Sequence, residues 1–580
     1  MTFLLVLILV KMLFHRIPYV TDYVPESLLL LIIGTIFGAI VRYEISVGSF
    51  SKTVWVLSPD LFLFYLLPPI VLEASFSLYN RTFGENLGIV LIFAVFGTIL
   101  NFLLIGFGMF GLMKVGALGY PELNIDLKTT LLFGSLIVAV DPVAVLAIFQ
   151  NIGVDKELYY LVFGESLLND AITIVLYEIM SAFVAEHNIT GNQIGIGIAS
   201  FFTVSFGGLL IGVIFGIVSC LITRLKSHLS SFTVILLAYF AYIFGDLVGW
   251  SGIISMIGCG VVQAAYAFHN MYPSSAELVH GITKLTSEIS ESVIFLFLGI
   301  EVLSEHLEWH TGFVLWSLVL CLISRGLVVL VITAIVNVVR VDGTKISFQK
   351  QLILIYGGLR GAVAFSLAIL IDEHQLGYYG EYNRHLIITT TLFITIFTIG
   401  VMGMTIKPLV KALDIPLEPR SQLSLVHALN HTLLDNLLAG VESIAGFRGR
   451  QSVRHFFEHL DERYFRRFLQ RKPQKYNQNV IQVYDQLIIK LHAAFMEPNK
   501  AYKILANVPP TLRDFDYFKS ALSASLHKRP SILTVRDCRC RKDPATSPAP
   551  KLSKHSVDSE QVKCVPCVQW INDTDQYNRE

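Results

Sequence analysis

Four polar side chains, Glu165, Ser166, Asn169 and Asp170, lie together in one otherwise apolar segment, FGESLLND at residues 163–170. Ser166, Asn169 and Asp170 are three and four residues apart, so on a helix they share one face. A hydroxyl, an amide oxygen and a carboxylate are ligands that suit a hard cation. Burial disfavours the charged form of a carboxylate, so such a group also holds a proton. The pattern predicts one site for which a cation and a proton compete; the alternative is a polar patch that only joins helices.

A second segment, AVDPV at residues 139–143, places Asp141 directly before a proline. Pro142 has no backbone N–H and disfavours a helical conformation at Asp141. Carbonyl groups freed beside a carboxylate predict a second part of the cation site. The alternative is a proline kink in which Asp141 caps the following half-helix.

A third segment, YGGLRGA at residues 356–362, surrounds Arg360 with three glycines. The glycines predict an interrupted or closely packed helix. A buried arginine needs an anion, and Glu165 is the expected partner in a structural ion pair. Interrupted helices at corresponding positions of two halves are typical of inverted-repeat transporters with a site at the membrane midplane.

The fourth segment, LLPPIVLE at residues 66–73, contains paired prolines that predict a bent helix. Glu73 lies near its end, where an interfacial charge is an equally good interpretation. Glu291 and Arg325 are further charges in apolar segments, and the sequence suggests no partner for Arg325.

The elements that position these residues are apolar runs long enough to cross a bilayer. Of the 580 residues, 54% are hydrophobic and 15% are charged, whereas soluble domains carry about 25% charged residues. Runs of about 20 apolar residues span a membrane as helices. Thirteen segments fit, near residues 2–15, 27–41, 54–74, 86–112, 129–150, 157–184, 193–222, 232–247, 251–266, 283–303, 310–337, 349–371 and 384–409.

The charge distribution predicts the orientation of the chain. Residues 411–580 carry 26 Lys and Arg against 18 Asp and Glu, although the whole chain has no net charge. An odd number of spans places the termini on opposite sides, and the predicted inner loops hold nine Lys or Arg against five in the outer loops. The positive-inside rule therefore favours a cytoplasmic C-terminus. Asn188 then falls outside the cell as a glycosylation candidate.

Beyond residue 410 the composition changes, which predicts three domains: a transmembrane domain at 1–410, cytoplasmic regulatory helices at 411–475, and a tail at 476–580 that becomes disordered towards its end. Apolar residues at spacings of three and four predict an amphipathic helix over Ser424–Phe447. It either binds a partner or lies on the membrane. The tail cysteines fit no standard zinc spacing.

Nucleotide-dependent and metalloprotease functions lack their motifs, since the chain contains neither G-x-x-x-x-G-K-[ST] nor H-E-x-x-H. We expect a non-enzymatic transporter driven by a gradient, without cofactor, structural metal or nucleic-acid partner.

The blocks LLPPIVLEA, AVDPVAVLAIF, LVFGESLLNDA, ESVIFLFLG, YGGLRGAVAFSL and GMTIKPLV, in this order, resemble the plasma-membrane type of sodium/proton exchangers. The resemblance implies an all-α integral membrane fold of about thirteen helices, with inverted repeats and two broken crossing helices, assembled as a homodimer. It implies electroneutral exchange of Na+ for H+ and regulation of intracellular pH. Asp170 would carry the ion and proton, with Asn169, Ser166 and Asp141 lining the site.

The resemblance also implies binding regions outside the ion site. Amiloride-type inhibitors would bind a region that comprises Phe64, Tyr65, Pro68, Pro69, Glu291 and Gly299. The tail helix would bind a calcineurin-B-homologous protein through Leu433, Leu434, Leu437 and Leu438, a helix-in-groove mode. The Arg-rich stretch after it is similar to a phosphoinositide-sensitive region.

Departures from the family pattern leave alternatives open. The third segment has LEASF where the family usually has LDAGY, and the last has MGMTIKPL for QGMTIRPL. No long N-terminal region precedes the first segment, as in a short isoform or a truncated gene model. The competing hypotheses are a K+-tolerant exchanger of an internal compartment, a transport-incompetent scaffold or sensor, and an ion channel.

Overall fold

The structure, a computed structural model, describes residues 11–12, 16, 25–46, 58–120, 125–141, 143–186, 190–225, 227, 229–303, 307–339, 345–376, 379–413 and 460–471. Most of the first predicted span lies outside these residues, as do the glycosylation candidate Asn188 and the helix predicted over Ser424–Phe447 with its four anchor leucines.

The described residues form helices and contain no β-strand. We number the longer helices α1 (Glu26–Ser46), α2 (Leu67–Leu78), α3 (Arg81–Leu91), α4 (Thr98–Lys114), α5 (Leu127–Ile137), α6 (Val143–Ile152), α7 (Lys156–Ala185), α8 (Gly191–Thr223), α9 (Ser230–Leu247), α10 (Gly252–Val262), α11 (Pro273–Glu301), α12 (Thr311–Val339), α13 (Phe348–Tyr356), α14 (Ala362–Ile369), α15 (Gly380–Phe397), α16 (Gly403–Ala412) and α17 (Arg466–Leu469). Every predicted span after the first coincides with one of these helices or with an interrupted pair.

Seven continuous helices of the described residues are long and apolar enough to cross a membrane: Thr82–Lys114, Lys156–Ala185, Gly191–Thr223, Ser230–Leu247, Gly252–Asn270, Thr311–Val338 and Gly380–Ala412. Many large apolar side chains on these helices are exposed, such as Ile196, Phe206 and Ile323. A bilayer is the solvent that such side chains require. The predicted class, an all-α integral membrane protein, is confirmed.

Helix packing divides the described chain into two bundles. Helices α1, α2 and α8–α11 pack on one another and form what we call the scaffold bundle. Helices α3–α7 and α12–α16 form the ion-site bundle. This bundle contains the charged and polar residues Asp141, Glu165, Ser166, Asn169, Asp170, Arg325 and Arg360. The bundles meet where α7 packs on α8 and where α11 packs on α14. The end of the molecule that carries Leu413 and residues 460–471 is called the tail end below.

The predicted break between the spans at 232–247 and 251–266 is present as a tight turn. Gly249 has a φ of +78° in this turn, a conformation that L side chains rarely adopt. Helix α9 therefore ends at Leu247, and α10 begins at Gly252 as a separate helix.

The paired prolines distort the start of the third span rather than ending it. Residues Phe62–Leu66 form a π-helical turn, in which each N–H bonds the carbonyl five residues earlier. In that register the carbonyls of Leu63 and Phe64 would face Pro68 and Pro69, which have no N–H. Two hydroxyls of α9 donate to these carbonyls instead, Tyr242 to Leu63 at 2.8 Å and Tyr239 to Phe64. These two hydrogen bonds satisfy the carbonyls that the prolines leave without a backbone donor.

Candidate ion site

Two interrupted helices cross at the centre of the ion-site bundle, as the sequence predicted. The first is broken between Ile137 and Val143, and the second between Tyr356 and Ala362. Their extended segments touch, since the Asp141 N–H donates to the carbonyl of Leu359 at 2.8 Å. The crossing brings four half-helix ends to one place. Backbone N–H and carbonyl groups there are free to meet ions and side chains.

Gly361 allows the two breaks to approach this closely. A Cβ atom at this position would overlap Cβ and Oδ2 of Asp141. Gly361 has an ordinary negative φ of −129°, so the requirement for glycine here is one of space alone.

Replacing Gly361 with Ala is therefore expected to displace Asp141 and to lower the cation exchange that the sequence resemblance implies at least tenfold. Overpacking of a dense core costs about 1–3 kcal/mol, so the protein should still fold. The measurement is cation-driven proton flux in proteoliposomes, normalised to the amount of folded protein. Gly84→Ala in α3 is the matched control, because a Cβ there would meet nothing within 4 Å. Equal flux in the two variants would contradict the role assigned to Gly361.

Helix α7, which was predicted to carry the ion-site residues on one face, passes beside this crossing. Asp170 lies at the middle of this 30-residue helix. Ser166 donates from Oγ to the carbonyl of Val140, and the Val140 N–H bonds the Asp170 carboxylate. The two side chains, one turn apart, thus bind the backbone of the same residue of the first break, Val140, on its two sides. The Asp170 Oδ1 atom is buried and has no hydrogen-bond partner.

Asn169 faces a different direction from its two neighbours. Its side chain is 1% exposed, and its Oδ1 accepts a hydrogen bond from the Thr173 hydroxyl at 3.0 Å. Ser166, Asp170 and Asp141 line the central cavity, whereas Asn169 is not among the residues that line it. The structure therefore brings together three of the four predicted ion-site residues and places Asn169 beside them in the packing of α7.

The predicted ion pair between Glu165 and Arg360 is wrong, because Glu165 pairs with a different arginine. Glu165 is bound by Arg325 of α12: one guanidinium nitrogen bonds Oε1, and Nη2 bonds Oε2 at 3.1 Å. Arg325 also donates to the carbonyl of Leu354, from Nη2 at 2.9 Å. The pair is buried, with side chains 4% and 6% exposed. Charge-assisted bonds of this two-point form are among the strongest in proteins.

Arg360 has backbone partners instead. Its Nη1 donates to the carbonyl of Val138 at 2.7 Å and lies 3.4 Å from that of Ala139. These carbonyls follow the end of α5, where the helix dipole places partial negative charge. Arg360 is thus bound by the end of a half-helix. The prediction was wrong because the negative charge that Arg360 meets is the partial charge of backbone carbonyls and not a carboxylate.

Arg325 is the ion-pair partner of Glu165 that sequence reasoning missed. A single arginine inside the span at 310–337 was visible as a charge, but its partner is 160 residues away. A signal was available in the charges of the apolar segments: two arginines, Arg325 and Arg360, lie there, and only Arg360 was assigned a carboxylate. Gly358 marks the approach, because a Cβ there would lie 2.9 Å from Nε of Arg325.

A cavity of about 990 Å³ reaches this site from the tail end. Its lining begins with charged residues of both bundles, Lys11, Glu26, Glu73, Lys284, Glu288 and Lys407. It continues past Glu291 to Asp141, Ser166 and Asp170. A separate pocket of about 390 Å³ lies between α7 and α8 and is lined by Glu178 and Glu186. No residue lines both, so among the described residues these two spaces are not joined.

The residues of the predicted inhibitor region are dispersed. Glu291 lines the cavity. Gly299 lies against the backbone of α1, since its Cβ would overlap the Leu31 carbonyl oxygen. The third span contributes Phe62 and Leu67 to the lining rather than Phe64, Tyr65, Pro68 or Pro69, and Tyr65 is 67% exposed.

The donor set of the site consists of oxygen atoms that can bind a hard cation. Two carboxylates and a hydroxyl are hard oxygen ligands, and the described residues contain no group of three or more His, Cys, Asp or Glu side chains that could hold a metal ion.

Comparison with known proteins gives the family. The profile described as sodium/hydrogen exchanger, transmembrane, matches residues 3–412. Sodium/hydrogen exchanger 3 of Mus musculus is 38% identical over 494 residues, 84% of this chain and 58% of that protein. Sodium/hydrogen exchanger 2 of Oryctolagus cuniculus is 37% identical over 487 residues, 83% of this chain and 58% of that protein. The chain thus spans less than two thirds of these relatives.

A solved structure supports the fold alone. The sodium proton antiporter MjNhaP1 from Methanocaldococcus jannaschii superposes with a TM-score of 0.56 at 18% sequence identity, over 71% of this chain and 98% of that one. With the crossing, the buried carboxylates and the sequence match in agreement, this chain belongs to the sodium/hydrogen exchanger family.

Proposed function

We propose that this protein exchanges Na+ for H+ across a membrane and that both cations use the carboxylate of Asp170. The observation that carries the proposal is the buried, unpartnered Oδ1 of Asp170 at the inner end of the cavity. A buried carboxylate with one oxygen that has no hydrogen-bond donor is costly in its charged form. Binding either Na+ or H+ there removes the uncompensated charge.

The geometry supports competition between the two cargoes. Na+ would bind Asp170 with further oxygens from Asp141 and Ser166, which line the same space. A proton on Asp170 neutralises the carboxylate and removes the main attraction for Na+. Each cation therefore releases the other, and the site is loaded with one positive charge at a time.

The division into two bundles supports alternating access. The cavity lies between the bundles, since the lining residues Asp170 and Ile253 belong to different bundles. A relative shift of the bundles would close this cavity and expose the site towards the pocket lined by Glu178. Inverted-repeat transporters work by such movements around a fixed site.

The cellular setting is part of the same proposal. With the tail cytoplasmic, as the loop charges favour, the cavity opens to the cytoplasm. Electroneutral exchange at the plasma membrane would then import Na+, export H+ and raise cytosolic pH. A homodimer, phosphoinositides and a calcineurin-B-homologous protein are the proposed partners. The relatives named above are sodium/hydrogen exchangers, which supports the exchange itself.

The test is proton flux in proteoliposomes of the purified full chain. An outward Na+ gradient is expected to acidify the vesicle interior, and an inward gradient to alkalinise it, at equal rates with and without a clamped membrane potential. Choline in place of Na+ is the negative control. Equal flux with K+ would identify the alternative K+-tolerant exchanger, and large unitary currents would contradict exchange altogether.

A further inference from the structure

Thr398 is a buried residue of the ion-site bundle that the description of the ion site has not yet included. Its side chain is 2% exposed, and it begins a π-helical turn, Thr398–Met402, between α15 and α16. π-helical turns are rare and occur frequently at functional sites. Thr398 is not among the residues that line the cavity. A role in ion binding must therefore act through another residue.

The hydroxyl of Thr398 binds the backbone of the second break. Its Oγ1 accepts a hydrogen bond from the N–H of Arg360 at 3.1 Å. The hydroxyl has one proton to donate, and two carbonyls lie within its reach, that of Thr395 at 3.1 Å and that of Arg360 at 3.3 Å. Arg360 lies between α13 and α14 and outside both. Thr398 thus gives this buried N–H group the acceptor that a helix would otherwise supply.

The peptide group that Thr398 binds is the one that contacts the ion site. The peptide group between Leu359 and Arg360 is a rigid plane. On one side its N–H donates to Thr398, and on the other its carbonyl, that of Leu359, accepts from the Asp141 N–H at 2.8 Å. Because the plane is rigid, a displacement of its N–H also displaces the carbonyl that holds Asp141.

The side chain of Arg360 makes a second contact with the first break. Its Nη1 donates to the carbonyl of Val138 at 2.7 Å. The Leu359 carbonyl and the Arg360 guanidinium therefore bind the first break near its two ends, at Asp141 and at Val138. Both contacts originate from the peptide group that Thr398 fixes or from the residue that follows it.

Two other threonines of α15 show what a buried hydroxyl does here without such a contact. Thr391 and Thr395 are both 0% exposed. Thr391 donates to the carbonyl of Ile387 at 2.8 Å, and Thr395 donates to that of Thr391 at 2.9 Å, so both bonds stay within α15. Threonines inside helices commonly bond back to their own helix in this way. Among the described contacts of the three residues, that of Thr398 with Arg360 is the one that reaches a helix break.

We propose that Thr398 is a positioning residue of the ion site. Its hydroxyl fixes the peptide group between Leu359 and Arg360, and this group holds Asp141 where its carboxylate can share a cation with Asp170. Loss of the hydroxyl leaves both carboxylates in the site but loosens Asp141, so it weakens Na+ binding rather than the movement of the bundles. The effect on transport rests on the proposed exchange of Na+ for H+; the hydrogen bond itself does not.

The experiment compares two identical substitutions in the full chain. Thr398→Val removes the hydroxyl and keeps the shape of the side chain, and Thr395→Val is the matched control. Hydrogen–deuterium exchange of the peptide 357–362 is expected to be about fivefold faster in Thr398→Val than in the parent or in Thr395→Val, as the loss of one hydrogen bond implies. Thr398→Ser keeps the hydroxyl and should restore the parental rate. Equal exchange in all four proteins would overturn the hydrogen bond and the proposal with it.

Proton flux in proteoliposomes is the second readout. Thr398→Val is expected to raise the half-saturating Na+ concentration about fivefold, with a maximal rate per folded protein within about twofold of the parent. Thr395→Val and Thr398→Ser should keep the parental half-saturation. A variant that is merely less stable would lose maximal rate instead. Unchanged half-saturation in Thr398→Val, despite faster exchange of peptide 357–362, would overturn the positioning role.

Failure of the proposed exchange would give a different result. A parent chain without Na+-driven flux would contradict the exchange, whatever the hydrogen–deuterium exchange of peptide 357–362 shows. Stabilisation of the four purified proteins against heat by Na+ then decides the positioning role, because a bound ion stabilises the folded state in proportion to its affinity. A half-saturating Na+ concentration raised in Thr398→Val alone would support the role, and equal values in all four proteins would overturn it.

Discussion

Replacing Asp170 with Asn is expected to abolish Na+-driven proton flux completely, to the background of empty liposomes. The amide has nearly the same shape and can still accept from the Val140 N–H, so the bundle should fold as before. It cannot bind a proton at physiological pH, and it offers Na+ no charge. Since Na+ and H+ both depend on the carboxylate oxygens of Asp170, the variant should transport neither ion. Proteoliposome flux and acid-load recovery in cells are the two measurements.

The control for Asp170 is the same chemical change at Asp126. That residue precedes α5, is exposed and makes no side-chain cap bond, so Asp126→Asn should retain parental flux. The melting temperature of Asp170→Asn should equal or exceed that of the parent, since a buried carboxylate with an unpartnered oxygen destabilises the fold. Normal acid-load recovery by Asp170→Asn at full surface expression would contradict the assignment of Asp170 and the proposed mechanism.

Replacing Arg325 with Leu is expected to produce the largest loss of stability. It leaves Glu165 buried without its partner, and breaking a buried ion pair from one side costs about 3–5 kcal/mol. The free Leu354 carbonyl adds to this cost. The measurement is thermal unfolding of the detergent-solubilised protein together with the yield of monodisperse material.

The double variant Arg325→Leu with Glu165→Gln separates this pair from the one that the sequence suggested. Removing both charges should recover most of the stability lost by Arg325→Leu, because neither charge then remains uncompensated. The matched cycle uses Arg360→Leu with Glu165→Gln and should recover little, since Arg360 is bound to carbonyls of Val138 and Ala139. Strong coupling of Glu165 to Arg360 and none to Arg325 would restore the earlier pairing.

The parts of the fold that sequence could predict are those with a local cause. Apolar runs predict membrane-spanning helices because the hydrocarbon core of a bilayer requires about 20 apolar residues in each. The breaks at Pro142 and at the glycines around Arg360 were predicted because proline and glycine act on their own backbone. Ser166 and Asp170 were predicted to share a face because their spacing of four sets it.

The remaining features depend on residues distant in sequence. Helical spacing placed Asn169 on the same face, but the Thr173 hydroxyl one turn away competes for its side chain. The predicted pairing of Glu165 with Arg360 considered side chains alone. In the structure, backbone carbonyls at the end of a half-helix bind Arg360 instead. The tyrosine hydroxyls that serve Leu63 and Phe64 come from α9, some 175 residues later. No local pattern contains these pairings.

The position of Asp170 halfway along α7 has an electrical consequence. One elementary charge that crosses a membrane potential gains or loses about 2.3 kcal/mol per 100 mV. In the proposed exchange Na+ and H+ each bring one positive charge to the same carboxylate, so the loaded site has the same net charge whichever cargo it holds. Both half-cycles then cross the same field with the same net charge. Resting potential would neither drive nor oppose the exchange, and the chemical gradients alone would set its direction.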